Sequence, residues 1–277
     1  MEMNRVSPES AGLLLTLNLY GEKCSVLSNR PGLSEQIAAN FGPLLTSVEP
    51  APAGAAADIR VLHGGARPLL RDWEEFSIQL TNAVARRFLL LHAGAVTLRD
   101  QQGRPVPPAR AVAFVGSGRR GKTTCALAAL HLGHQLVGDD LVALEWRTGR
   151  LFALPFPVRP RRDTRLALGR RAPTLCRRPD LTVPEQAPRL VRIIFLTGPH
   201  SARARVSHAE RLLTAIHVGT SLPKAVLLER ALRGVSGADF LAVTELPSIG
   251  TTLRGQVRMC QTLFRGLPLG LASEEAT

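Results

Sequence analysis

Aromatic side chains are scarce in this chain: they make up 4% of its 277 residues, and Tyr20 is the sole tyrosine. Few flat platforms are left for stacking bases, and no nucleic-acid reader motif occurs, so a specific nucleic-acid partner is not expected despite a net charge of +13. The charge points instead to an acidic partner. Cysteine is equally thin. Cys24, Cys125, Cys176 and Cys260 lie far apart, with no C-x-x-C pair and no histidine cluster beside them, which argues against a disulfide framework or a zinc site. Long apolar runs are missing too. The longest candidates, residues 11–17 and 88–91, fall far short of the roughly 20 residues that a membrane span needs. Glu2 and Glu9 flank the only early arginine, Arg5, and no cleavage pattern follows, so the expectation is a cytoplasmic protein without a signal peptide or membrane contact. Finally, lysine is rare: of 35 basic residues only Lys23, Lys122 and Lys224 are not arginine.

One of those three lysines sits in the most informative stretch. Gly116, Gly121, Lys122 and Thr123 satisfy the pattern G-x-x-x-x-G-K-[ST], with Ser117, Gly118, Arg119 and Arg120 inside the loop and Thr124 following. The apolar run 111–115 precedes it and a helix-forming run begins at Cys125, giving strand, glycine loop and helix in that order. Backbone N–H groups of such a loop form an anion nest, and the helix N-terminus adds positive potential, so nucleotide phosphates bind there. Lys122 can reach the β/γ-phosphates and the Thr123 hydroxyl can ligate Mg²⁺. A glycine-rich turn that binds nothing is the bland alternative.

Downstream, the short apolar strand 135–138 ends at Asp139 and Asp140. A carboxylate beside a phosphate loop either holds the metal or accepts the proton of an attacking hydroxyl. Upstream, residues 89–98 read as one strongly apolar strand carrying His92, which forms a hairpin with 111–115. As a lone histidine in an apolar strand, His92 suits a hydrogen-bonded core position as well as a place near the loop.

Elsewhere the pattern is α/β. Residues 12–20 and 25–27 pair as strands, 34–41 form a short helix and 58–62 another strand after a Pro/Ala/Gly-rich linker at 49–57. Trp73, Phe76, Leu80, Val84 and Phe88 recur at helical spacing with Asp72 as a cap, a packing stripe. Residues 151–154 close a second hairpin, 190–196 form a buried strand, and Ser207 with Glu210 is a capping box. Residues 240–243 read as a last strand and 253–264 as a final helix. Between 159 and 178 eight arginines face one acid, Asp163, as expected of a solvated loop or of a flap over phosphate or an acidic substrate. The division expected is a small N-terminal α/β region, 1–68, and a P-loop domain, 69–277.

Taken in order, Leu91-His92, Gly121-Lys122-Thr123 and Gly133-His-Gln-Leu-Val-Gly-Asp-Asp140 resemble the catalytic domain of HPr kinase/phosphorylase, over residues 89–146. The resemblance implies the compact P-loop fold shared with phosphoenolpyruvate carboxykinase, a mixed sheet flanked by helices. It also implies ATP and Mg²⁺ as cofactors, Asp139 as the catalytic aspartate, Thr123 and Asp140 near the metal, and His92 beside the phosphate. Gly118 and Arg119 stand where the family has Ser-Gly, and its Leu-Glu-Ile-Arg-Gly signature is missing after the acid pair. The chain is more similar to relatives that phosphorylate a serine of ribosomal peptide precursors, including lasso peptides. The activity implied is a kinase acting on a serine or threonine hydroxyl of an acidic peptide or small protein, with homo-oligomers left open. The alternatives are an ATP-binding or ATP-hydrolysing accessory or sensor protein, and a small-molecule kinase of the same fold.

Overall fold

The structure, a computed structural model, describes residues 12–62, 68–85, 87–100, 103–104, 106–118, 120–154, 156, 187–196, 207–216, 223–243 and 262–264. The expected basic loop at 159–178 and most of the expected helix at 253–264, together with Arg119, lie outside the described residues. The chain divides into two compact units, Met1–Arg86 and Arg87–Thr277. Both are α/β with mixed sheets. Among the described residues no helix is long and apolar enough to cross a membrane.

The first unit is a four-stranded sheet, ordered β3-β1-β2-β4, with two helices. Strands β1 (Leu13–Leu19) and β2 (Glu22–Ser28) form the expected hairpin, in which Leu15, Leu17 and Leu19 alternate with more exposed residues. Strand β3 (Leu45–Pro50) lies partly in the stretch expected to be linker; backbone pairing with β1 holds it although most of its side chains are exposed. Strand β4 (Ile59–Val61) adds parallel to β2. Helix α1 (Pro31–Phe41) and helix α2 (Leu69–Val84) bury Phe41, Trp73 and Phe76 together, with Phe41 and Phe76 edge to face at 5.6 Å. Burying side chains of this size contributes about 1.5–3 kcal/mol each. Because α2 spends its aromatic stripe on this unit, the division falls after the helix, not at 68/69. Asp72 is not the cap of α2 either. The helix starts at Leu69, and the fully buried Asp72 carboxylate meets Arg30 Nε at 3.1 Å, tying α2 to the start of α1.

The second unit carries the larger sheet, ordered β5-β9-β10-β11-β7-β6-β8, with β12 (Asp239–Val243) beside β11. Strands β6 (Ala93–Thr97) and β7 (Arg110–Val115) make the expected hairpin. The stretch 89–98 is not one strand, however. It breaks at His92: β5 (Phe88–Leu91) pairs with β9 (Val142–Glu145), whereas β6 pairs with β7 and β8 (Gln135–Gly138). Only three residues, 139–141, join β8 to β9, which are far apart in the hydrogen-bonded order. Three residues reach no more than about 14 Å, so the sheet folds over on itself.

The core confirms that folding. Leu89, Leu91, Val142, Leu144 and Leu151 share one buried cluster with Ala93, Ala95, Ala111 and Ala113. Small side chains on β6 and β7 let the other leaf approach closely. The opposite face of β6 and β7, with Val96, Val112 and Phe114, packs on helix α3 (Lys122–His131) through Cys125, Ala126 and Ala129. Strand β10 (Arg150–Ala153) closes the second hairpin with β9, and β11 (Arg189–Leu196) runs parallel to β7. Helix α4 (His208–Ala215) has the expected capping box: Ser207 Oγ accepts from the Glu210 N–H while the Glu210 carboxylate accepts from the Ser207 N–H. Helix α5 (Lys224–Gly234) was not legible in advance.

Candidate phosphate-loop site

Strand β7 delivers the chain to Gly116 and α3 takes it up at Lys122, so the glycine loop caps the helix on which the sheet packs. Gly121, the N-cap of α3, has φ +91°, a left-handed conformation that favours glycine. Gly116 is required for a different reason. A Cβ there would stand 2.7 Å from the Leu196 carbonyl oxygen at the end of β11, so any side chain would push the loop off the sheet.

Lys122 is 5% exposed, and its Nζ donates to the Gly116 carbonyl at 2.9 Å and to that of Ser117 at 3.4 Å. The ammonium therefore lies back across the mouth of its own loop. Arg120 is exposed and Nε donates to Ser117 Oγ at 3.4 Å. Thr124 is buried in the first turn of α3. Gly118 is exposed and a Cβ there would meet nothing within 4 Å.

The two aspartates part company. Asp139, 4% exposed, accepts from Thr123 Oγ1 at 3.0 and 3.1 Å on its two carboxylate oxygens. Asp140 has φ +63° and an exposed side chain, and its Oδ1 lies 3.5 Å from His92 Nε2. The reversal of backbone hand at Asp140 sends neighbouring carboxylates to different partners. Asp139 is thus brought to Thr123, whereas the expectation had set Thr123 and Asp140 near a metal.

His92 is not a buried core histidine. It occupies the break between β5 and β6 with its ring about half exposed, and its backbone N–H donates to the Ala215 carbonyl at 2.6 Å, where α4 ends. Leu91 and Ile216 bridge alongside. The loop, the aspartate pair and His92 all lie at the same end of the sheet, where β5, β7 and β8 finish. That is where ligands bind in open α/β sheets.

The donors suit a hard divalent cation: a hydroxyl and a carboxylate, both oxygen, already in contact beside the loop. Among the described residues no group of three or more His, Cys, Asp or Glu converges on one point. No family model matches the chain, and no curated protein matches it.

His134, in the same segment as the aspartates, was not singled out by sequence. It is buried, its Nδ1 accepts from the Arg99 N–H at 3.1 Å, and its ring meets Phe264 edge on at 5.1 Å. Burial pushes its pKa below the usual imidazole value, as an accepting nitrogen requires.

Proposed function

We propose that this chain is an ATP- and Mg²⁺-dependent phosphotransferase that passes a phosphoryl group to a serine or threonine hydroxyl of a peptide or small protein, within a P-loop fold of the HPr kinase type. The observation that carries this reading is the Thr123–Asp139 contact beside a glycine loop crossed by the buried Lys122. A glycine-rich turn with no ligand has no reason to bury a lysine on its own carbonyls.

In this reading the loop N–H groups and the start of α3 receive the phosphates. Lys122 exchanges its carbonyl partners for phosphate oxygens and stabilises the charge that builds up on transfer. Thr123 and Asp139 would hold Mg²⁺, which would supply positive charge to the phosphates. The acceptor oxygen bonds to the terminal phosphorus, the bond to the bridging oxygen breaks, ADP leaves, and a carboxylate takes the hydroxyl proton. Asp139 was the expected base. Its burial against Thr123 supports the metal-facing role instead, and the exposed Asp140 with the half-exposed His92 are the groups that an incoming hydroxyl meets.

The test is incubation with γ-labelled ATP and an acidic serine-containing peptide. Label on the peptide supports the kinase. Binding of ATP with no label on any peptide or small molecule supports the accessory or sensor reading. Comparing Asp139→Asn with Asp140→Asn then separates their roles: the metal-holding variant needs more Mg²⁺ for half-maximal rate, and the other does not.

A further inference from the structure

The opposite end of the same sheet has a different chemistry. Register places Arg150 directly across from Arg189, and Arg189 across from Arg110, so three arginines stand in a row on adjacent strands β10, β11 and β7. The next position in the row is Glu145, across from Arg150 on β9. The neighbours of these residues along their strands, Leu144, Leu151, Leu190 and Ala111, are buried in the core. With strands about 4.8 Å apart, the three arginine Cα atoms span about 10 Å.

Just beyond Glu145, Trp146 has the guanidinium of Arg147 over its ring at 5.0 Å and that of Arg230, from α5, at 5.2 Å. Glu145 offsets only part of this charge: Arg150 acts on it, but Arg87 also holds it at 3.0 Å and Thr148 donates to its other oxygen at 2.7 Å. Among the described residues none of Arg110, Arg147, Arg150, Arg189 and Arg230 forms a salt bridge. Like charges directly opposed on a sheet cost stability, so their grouping asks for an external anion.

We propose that this arginine row is a docking surface for an acidic polypeptide segment, separate from the glycine loop. Guanidinium groups pair with carboxylates in two-point geometry, and an extended segment with acids at alternate positions presents them about 6.7 Å apart along one face. Three such acids cover the row. A nucleic acid fits less well: the tryptophan beside the row, Trp146, is engaged by arginines and packs on the core, so it offers no free face to a base. The row lies about 20 Å from the loop along the six residues of β7, so a segment bound here leaves the loop open. The inference stands whether or not the loop transfers phosphate.

The experiment measures binding of the full chain to a fluorescent peptide of alternating glutamate and glycine, to its glutamine-glycine counterpart, and to an oligothymidylate. The expected result is a clear preference for the glutamate peptide, about tenfold weaker binding in Arg150→Gln/Arg189→Gln, and a shallower salt dependence. Arg147→Gln/Arg230→Gln, on the turn and helix surface, serves as a second variant in case the first is poorly folded, and far-UV circular dichroism checks both. ATP titration reports the loop separately and is expected to be unchanged. Equal binding of the two peptides, unchanged affinity in both variants, or tighter arginine-dependent binding of the oligonucleotide overturns the proposal.

Discussion

The two ends of the second unit's sheet use positive charge in opposite ways. At the loop end, one buried lysine lies on backbone carbonyls, with glycines that let the chain approach β11, and two carboxylates stand close by. At the other end, five arginines cluster, and the acid opposite Arg150, Glu145, is shared with Arg87. A small anion such as a phosphate needs inward-pointing N–H groups and one mobile cation, which a loop at a helix start provides. A polymeric anion needs several outward cations at strand spacing, which a sheet end provides. The difference teaches that the overall charge of +13 is not a single property of this chain.

The sharpest way to break that contrast is Lys122→Met. It is expected to lower nucleotide-dependent transfer about 10²–10³-fold while leaving glutamate-peptide binding intact, read by labelled-ATP assay and fluorescence anisotropy. Asp139→Asn comes next, with about a 10²-fold loss and a raised Mg²⁺ requirement; a normal rate at low Mg²⁺ sinks the metal-facing role. Gly116→Ala tests the architecture of the loop end. The new Cβ has to displace the Leu196 carbonyl, and thermal melting is expected to report a loss of about 1–3 kcal/mol.

At the arginine end the same test has the opposite outcome. Arg150→Gln/Arg189→Gln removes two opposed charges and should change stability by less than about 0.5 kcal/mol, with a gain expected at low salt. A large loss would mean that the row is structural.

The smallest effect concerns His134, which accepts from the Arg99 N–H at the end of β6 farther from the loop. Its folded pKa lies below the usual 6.5, so the unfolded chain binds this proton first. Stability from this site is full above pH 6.5 and declines as pH falls from there through the folded pKa. Urea midpoints compared at neutral and mildly acid pH should show the decline, and His134→Gln should flatten it. Glu145 adds a separate decline at lower pH. Burial raises its pKa, but hydrogen bonds from Thr148 and Arg87 and the charges of Arg87 and Arg150 outweigh that and hold it below 4.5.

Local features were legible wherever one stretch of sequence decides them. The strand, glycine loop and helix from 110 to 131 follow from apolar residues, glycines and good helix formers in sequence, and the capping box at Ser207 needs only Glu210 three residues on. Helix α5 was missed because its apolar face is short and arginine-rich, and β3 because exposed polar side chains hide a strand held by backbone pairing. The break at His92 was invisible because Leu89, Leu90, Leu91, Ala93 and Ala95 are buried on both sides of it. Asp72 passed for a cap because nothing near it in sequence signals Arg30.

By itself, then, the sequence determined an α/β chain with a glycine-rich loop between strand and helix, one lysine in it and two adjacent acids after a short strand. Tertiary structure alone decided which acid meets Thr123 and which meets His92, since that depends on the backbone hand at Asp140 and on the break between β5 and β6. It alone also gathered Arg110, Arg150 and Arg189, which lie up to 79 positions apart, because register between strands, not distance along the chain, sets which side chains stand side by side.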